Sequence, residues 1–198
     1  MTRQAEVRRD TKETKIAVRV NLDGTGLHTV KTPIGFFSHM IETLSKHSLI
    51  DIELDLAGDL HIDQHHSVED AGLALGEAIR KALGDHKGIR RNGFCLYPMD
   101  EVLAQCALDL SGRAYCVWNA TFQHRHIGEM ESTMVGEFFK ALASRLQANL
   151  HLTILTPGND HHMAEAQFKA LAKSLRQAVE IDPRASGAIP STKGTLTT

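Results

Sequence analysis

The chain has 198 residues, 42% of them hydrophobic and 23% charged, enough apolar material to bury a core as one domain or as two small intimate ones. Its 22 basic and 24 acidic residues leave a net charge of −2, so no overall field favours nucleic acid or an anionic membrane surface, and neither is expected as a partner. Met1 to Lys15 lacks the apolar stretch of a signal peptide and no later run approaches ~20 apolar residues, which makes a cytoplasmic protein the expectation.

Ile16, Val18, Val20 and Leu22 alternate with polar neighbours, the period of a half-buried strand. Asp23-Gly24-Thr25-Gly26 reads as a turn, with Leu27 to Thr32 as the returning strand of a hairpin. Phe36, Phe37, Met40, Ile41 and Leu44 form a helical stripe that passes through His39. Ile50, Ile52, Leu54 and Leu56 alternate as a third strand ending at Gly58. Val68, Ala71, Leu75, Ala78, Ile79 and Leu83 then mark an amphipathic helix that stops near Gly84. Ser67 and Asp70 could form a capping box at its start, which would put His65 and His66 just before the first turn.

The second half repeats that order. Val102 to Leu110 alternates as a strand, Ser111-Gly112-Arg113 turns, and Ala114 to Phe122 is expected to return as a hairpin. A helix follows from about Glu131 with Phe138, Phe139 and Leu142 on its apolar face. Leu150, Leu152 and Ile154 make a strand broken at Pro157-Gly158. Asp160 is a candidate cap for the last helix, through Phe168, Leu171, Leu175 and Val179. The fold expected is α+β, two similar halves from an internal duplication, each a roughly four-stranded sheet packed by two helices. The expected divisions are 1–90, 91–182 and a tail at 183–198. Cys95, Cys106 and Cys116 lack Cys-x-x-Cys spacing and fit reduced, buried thiols with no assigned chemistry.

The chemistry-bearing pattern is His65-His66-Ser67-Val68-Glu69, which returns as His161-His162-Met163-Ala164-Glu165, 96 positions on by 161 − 65. Helical spacing lets Glu69 meet His65 or His66, and Glu165 meet His161 or His162, while adjacent histidines lie about 100° apart and so suit two different metals. One such pair is as readily a solvated helix end; the duplication is what points to metal. Imidazole with carboxylate suits Zn, Mn or Fe. Aligning Met40, Ile41 and Leu44 with Phe138, Phe139 and Leu142 places His39 opposite Glu137, so each half offers four candidate ligands: His39, His65, His66 and Glu69 in one, Glu137, His161, His162 and Glu165 in the other. Arg91, Arg113 and the tail Pro190-Ser191-Thr192-Lys193-Gly194 are the residue types that cradle phosphate.

Arg9-x-Thr11-x-Glu13-Thr14, Leu22-Asp23-Gly24-Thr25-Gly26, Gly35-Phe36-Phe37-x-His39-Met40, both His-His-x-x-Glu motifs, Pro98-Met99-Asp100-Glu101, Leu110-Ser111-Gly112-Arg113 and the Pro-Ser-Thr-Lys-Gly tail occur in one order that resembles the imidazoleglycerol-phosphate dehydratase family essentially end to end. The resemblance implies a lyase with two manganese ions per subunit that dehydrates imidazole glycerol phosphate to imidazole acetol phosphate in histidine biosynthesis. It also implies a 24-subunit homo-oligomer with metal sites between subunits. By the same likeness His39, His65, His66, Glu69, His161, His162 and Glu165 are metal ligands, with Glu137 standing where many members have a histidine ligand. Arg91, Arg113, Lys169, Ser191 and Lys193 would hold the phosphate, and Glu13 and His47 would approach the substrate. Glu13, His47, Glu69 and Glu165 are the catalytic candidates, and His39, His65, Glu69 and His161 also face substrate. Pro33, Ser38, Asn92 and Glu137 depart from the commoner pattern. The chemistry is self-consistent: a ring held as imidazolate between two cations pushes out the neighbouring hydroxyl, and a carboxylate or histidine then takes the acidified carbon proton. A metal-dependent hydrolase and a non-catalytic metal-binding shell protein are the alternatives.

Overall fold

The computed structural model describes residues 3–185 and 187–196. In chain order these give β1 (Gln4–Asp10), β2 (Thr14–Asn21), β3 (His28–Lys31), α1 (Gly35–Ser48), β4 (Asp51–Gly58) and α2 (His65–Leu83). Then follow β5 (Asn92–Met99), β6 (Val102–Asp109), β7 (Tyr115–Asn119), β8 (His126–Ile127), β9 (Met130–Glu131), α3 (Thr133–Leu146), β10 (Asn149–Thr156) and α4 (Asp160–Val179). One sheet has the order β1-β2-β4-β3 and the other β5-β6-β10-β7, antiparallel except for the β3–β4 and β7–β10 pairs. The expected duplication is therefore one of topology. It extends to helix ends: α1 and α3 each span 14 residues and stop on a left-handed residue, Leu49 at φ 61° and Gln147 at φ 54°. The β8–β9 hairpin has no counterpart among the described residues of the first half.

Neither expected hairpin forms. β2 pairs with β1 and β4, and β3 lies parallel to β4 on its far edge; likewise β7 pairs with β10 and not with β6. Parallel neighbours need a crossover, and α1 and α3 supply it. The Gly-rich turn after β2 is redirected by Asp51, whose carboxylate accepts the N–H groups of Thr25 (2.8 Å) and Leu27 (2.9 Å) and so ties the loop to the start of β4. β1 and β5 complete the two sheets; neither was expected.

The sheets lie outside and the helices between them. α2 covers β1 and β2, α4 covers β5 and β6, and the helices of different halves pack on one another as α1 with α4 and α2 with α3. Phe37 of α1, Phe138 and Phe139 of α3 and Phe168 of α4 meet at ring-centroid distances of 4.8–5.6 Å, all fully buried. Cys106 and Cys116 are held as thiols by burial, which pushes them to about 12 and about 11. No described helix is long and apolar enough to cross a membrane.

Candidate functional site

The α1–α4 contact brings ligands from the two halves together. His39 on α1 and His161 and Glu165 on α4 offer donor atoms that all lie within 4.8 Å of one another. His161 Nε2 is 3.1 Å from Glu165 Oε2 and His39 Nε2 is 3.6 Å from the same oxygen. Phe36 fixes both rings edge-on, its centroid 5.1 Å from that of His161 and 6.5 Å from that of His39. Two imidazoles and a carboxylate converging on one point form a donor set that suits a divalent transition metal with coordination positions left open. Burial raises the Glu165 carboxyl, but the hydrogen bond and charge of Lys169, with His39 and His161, outweigh it and hold the group below the usual range, ionised as a ligand must be.

The adjacent histidines point elsewhere, as the 100° rule requires. His162 Nδ1 donates to Glu101 Oε2 at 3.1 Å and its Nε2 lies 3.8 Å from Asp100, so Asp100, Glu101 and His162 form a second group of candidate ligands within 4.8 Å. A carboxylate can only accept, so this bond fixes the proton on Nδ1 and leaves the Nε2 lone pair free. His66 repeats the device: Nδ1 donates to Asp59 at 3.1 Å, and Nε2 lies 3.9 Å from Glu13. His65 Nε2 is 3.9 Å from Glu69. Glu137, from α3, is in neither three-ligand group of the described residues; its carboxylate accepts from Lys140 at 2.7 Å.

Helix starts place these side chains. His65 and His66 stand in the first turn of α2, and the expected capping box is absent. Ser67 Oγ is buried without a hydrogen-bond partner among the described residues, and Asp70 is taken by Arg9 Nη1 (2.7 Å) and Thr14 Oγ1 (2.5 Å). That network, with Thr11 Oγ1 accepting the Glu13 and Thr14 N–H groups, pins the turn that presents Glu13. The α4 cap is Asn159, which accepts from His161 N and His162 N, and not Asp160, which clamps the distant segment between β7 and β8 by accepting from Gln123 N, His124 N and His124 Nδ1. Ser38, the departure beside His39, bonds Thr32 at 2.8 Å.

A separate cleft of about 570 Å³ is lined by Arg91, Ser111, Arg113, Ser191, Thr192 and Lys193. Asp109 grips the Arg91 guanidinium at 2.7 and 2.9 Å while Nη1 donates to the Pro190 carbonyl at 2.8 Å, anchoring the tail. Asn149 Nδ2 donates to Ser111 Oγ and the Arg113 carbonyl, ordering the Ser-Gly-Arg turn at Gly112, whose φ is 78°. Lys169 is not in this cleft. It pairs with Glu165 at 2.9 Å beside the first ligand group, near His47, whose imidazole burial and the Lys173 and Lys169 ammonium groups hold below the ordinary value.

Sequence reasoning missed Asp59 and Glu101. Glu101 accepts the Asn159 N–H at 2.6 Å as well as His162 Nδ1; the Asn159 and its own backbone N–H groups, then His162, pull it down to about 2. The duplication carried the signal: β2 starts at Thr14 and β6 at Val102, so 102 − 14 = 88 and Glu101 is the counterpart of Glu13.

A family model described as imidazoleglycerol-phosphate dehydratase matches residues 32–175. The imidazoleglycerol-phosphate dehydratase of Cereibacter sphaeroides ATCC 17025 is 56% identical over 194 residues, covering 98% of this chain and 100% of the relative; that of Jannaschia sp. CCS1 is 52% identical over the same shares. The crystal structure of the Staphylococcus aureus N315 enzyme superimposes with a TM-score of 0.82 at 29% identity, over 90% of this chain and 99% of that one. A Pyrococcus furiosus IGPD in complex with (S)-C348 gives 0.82 at 31% identity over 96% and 99%.

Proposed function

From the premise that this chain belongs to the imidazoleglycerol-phosphate dehydratase family and is a dehydratase of histidine biosynthesis, we propose that it converts D-erythro-imidazole glycerol phosphate to imidazole acetol phosphate with two manganese ions per subunit. The observation that carries the metal dependence is the convergence of His39, His161 and Glu165 from two helices onto one point. His39, His161 and Glu165 would hold one ion, and His162, about 100° around the same helix start, another. His65, His66, Glu69 and Glu137 would complete these sites. Bound there, the metal would favour the anionic form of the substrate imidazole, the form that expels the neighbouring hydroxyl.

The chain's own groups do the rest. Arg91, Arg113, Ser191 and Lys193 hold the phosphate. His47, kept uncharged near neutral pH, and Glu13, exposed beside His66, are the bases within this design that can take the proton from the carbon next to the one that loses its hydroxyl. Phe36 keeps His39 and His161 in register.

Geometry also supports a homo-oligomer whose sites are shared, in keeping with the 24 subunits that the resemblance implies. Glu165 lies near the start of α4, and Ala178, whose carbonyl accepts the Arg91 N–H at 2.9 Å, lies near its end; 13 residues of helix separate them by about 20 Å. Ring and phosphate of one small substrate cannot reach both, so another copy would bring its cleft to this ligand group. The protein is placed in the cytoplasm by this reading. Incubating manganese-loaded protein with imidazole glycerol phosphate and reading the ketone by its enolate absorbance in base tests the proposal. Appearance of product supports it; ester or amide hydrolysis without it would favour a hydrolase, and bound metal without turnover a shell protein.

A further inference from the structure

β5 turns Gly93, Cys95, Tyr97 and Met99 toward α4. At its first residues strand and helix touch backbone to backbone, since a Cβ on Gly93 would lie 1.8 Å from the Ser174 carbonyl oxygen. Four residues further on, an aromatic ring fills the gap. Lys169 Nζ sits 5.6 Å from the centroid of the Tyr97 ring, 2.9 Å from Glu165 Oε1 and 3.8 Å from Met99 Sδ, with only 15% of its side chain exposed. On the same ring the imidazole of His47, from the last turn of α1, stands edge-to-face at 6.1 Å and 83°. Tyr97 thus joins one cation and one imidazole that come from different helices, and the cation in turn contacts a candidate metal ligand.

We propose that Tyr97 is a positioning residue of the substrate site, whose ring holds Lys169 against Glu165 and sets the face of His47. A lysine ammonium is a point charge on a stem with four rotatable bonds, and without a second contact it sweeps a wide volume. The aromatic face removes that freedom at one side while the Glu165 carboxylate removes it at the other, so the ammonium has one place to be. His47, edge-to-face with the same ring, takes its orientation from that contact. The interaction uses the ring, and the hydroxyl makes no hydrogen bond among the described residues, so phenylalanine should serve equally well. This inference rests on the proposed dehydratase reaction.

The test is steady-state kinetics of the manganese-loaded assembly with imidazole glycerol phosphate, for the wild type, Tyr97→Phe, Tyr97→Leu and Tyr97→Met. Tyr97→Phe is expected to keep kcat/KM within about twofold, and Tyr97→Leu to lose roughly fivefold to tenfold, the range of one partly desolvated cation–π contact. Met, flexible and of similar reach, replaces Leu if that variant does not fold, with the same loss expected. A purely structural tyrosine would lower the melting midpoint of both without that kinetic pattern. A double-mutant cycle identifies the route: in a Lys169→Met background, Tyr97→Leu should cost less than it does in the wild type, keeping only the part that runs through His47. Independent, multiplying losses would overturn the proposal, as would unchanged kcat/KM in Tyr97→Leu. Failure of the wild type to form product would instead sink the functional reading, so the two failures are distinct.

Discussion

Replacing Gly76 with alanine should destabilise the protein, although Gly76 lies inside a helix where alanine is intrinsically favoured. Gly72 and Gly76 are four residues apart on α2, on the face that meets α3. A Cβ on Gly76 would lie 2.5 Å from the Leu142 carbonyl oxygen and 2.9 Å from the Leu146 nitrogen, and one on Gly72 2.8 Å from both Ala141 Cβ and the Phe138 carbonyl oxygen. Ordinary contact begins at 3.4 Å, so the helices must separate by 3.4 − 2.5 = 0.9 Å at Gly76. Most of the obstructing atoms are backbone, which cannot rotate away. Helix propensity returns about 1 kcal/mol, whereas forcing a packed contact open costs about 1–3 kcal/mol and also loosens the core beneath Phe138. A net loss of up to about 2 kcal/mol is expected, an apparent melting midpoint lowered by up to roughly 8 °C for a chain of this size. Gly72→Ala/Gly76→Ala should lose less than the sum, because one helix shift relieves both clashes. Thermal and urea melts followed by circular dichroism measure this. A Gly76→Ala protein as stable as the wild type would show that the α2–α3 seam yields freely and that close approach is not what these glycines provide.

Complete chelation should shrink the particle seen by light scattering, since shared ligands make metal binding part of the assembly energy; unchanged size would remove metal from that role. Deleting residues 190–198 takes Ser191 and Lys193 from the cleft and should chiefly raise KM, so a truncated enzyme with KM and kcat intact would free the tail of phosphate binding. Glu137→Ala should release or weaken one metal per subunit by elemental analysis, with Glu137→His restoring it; two metals retained and normal turnover would leave Glu137 as only the partner of Lys140. Asp160 is 7% exposed; burial acts to raise its carboxyl, but the N–H groups of Gln123 and His124 and the His124 ring outweigh that and depress it. A depressed carboxylate contributes stability above its unfolded value of 3.8 that is lost as pH falls through the lower folded value, so the protection factors of the 123–124 amides, taken against unstructured peptide at the same pH, should fall only below about pH 4. Protection factors unchanged from pH 7 to pH 3 would contradict that clamp.

Most strands and all four helices were legible because each buries one face with a regular period. β1 hid because it is a charged edge strand in which Val7 is the one fully buried side chain. β5 hid for the opposite reason: Phe94 and Leu96 are exposed on one face while Cys95 and Tyr97 pack on the other, so apolar residues run consecutively and alternation disappears. The hairpins failed because a glycine-rich turn specifies a reversal and not a neighbour; β4 enters between β2 and β3 from 30 residues away. At the site, the pairing of His161 with Glu165 was readable from helical spacing. His39 needed the duplication, and its approach to the opposite half's helix had no local signal.

The duplication also separates two glutamates that begin as equivalents. Asp59 follows the end of β4 at Gly58, and the residue one past the end of β10 at Thr156 is Pro157, its counterpart by 156 − 58 = 98. Proline offers no side-chain acceptor, so in the second half the job of holding the histidine Nδ1 falls to Glu101, which is thereby bound to His162 and to the Asn159 N–H and driven down to about 2. In the first half Asp59 does that job for His66. Glu13 is relieved of it and stands with 54% of its side chain exposed, 3.9 Å from His66 Nε2, on a turn fixed by Thr11, Thr14 and Asp70. A carboxylate locked into two hydrogen bonds with so low a pKa is a poor proton acceptor, while one that is rigidly presented, accessible and unspent can exchange a proton with a substrate. Of the pair, Glu13 is therefore the acid–base candidate and Glu101 the fixed support.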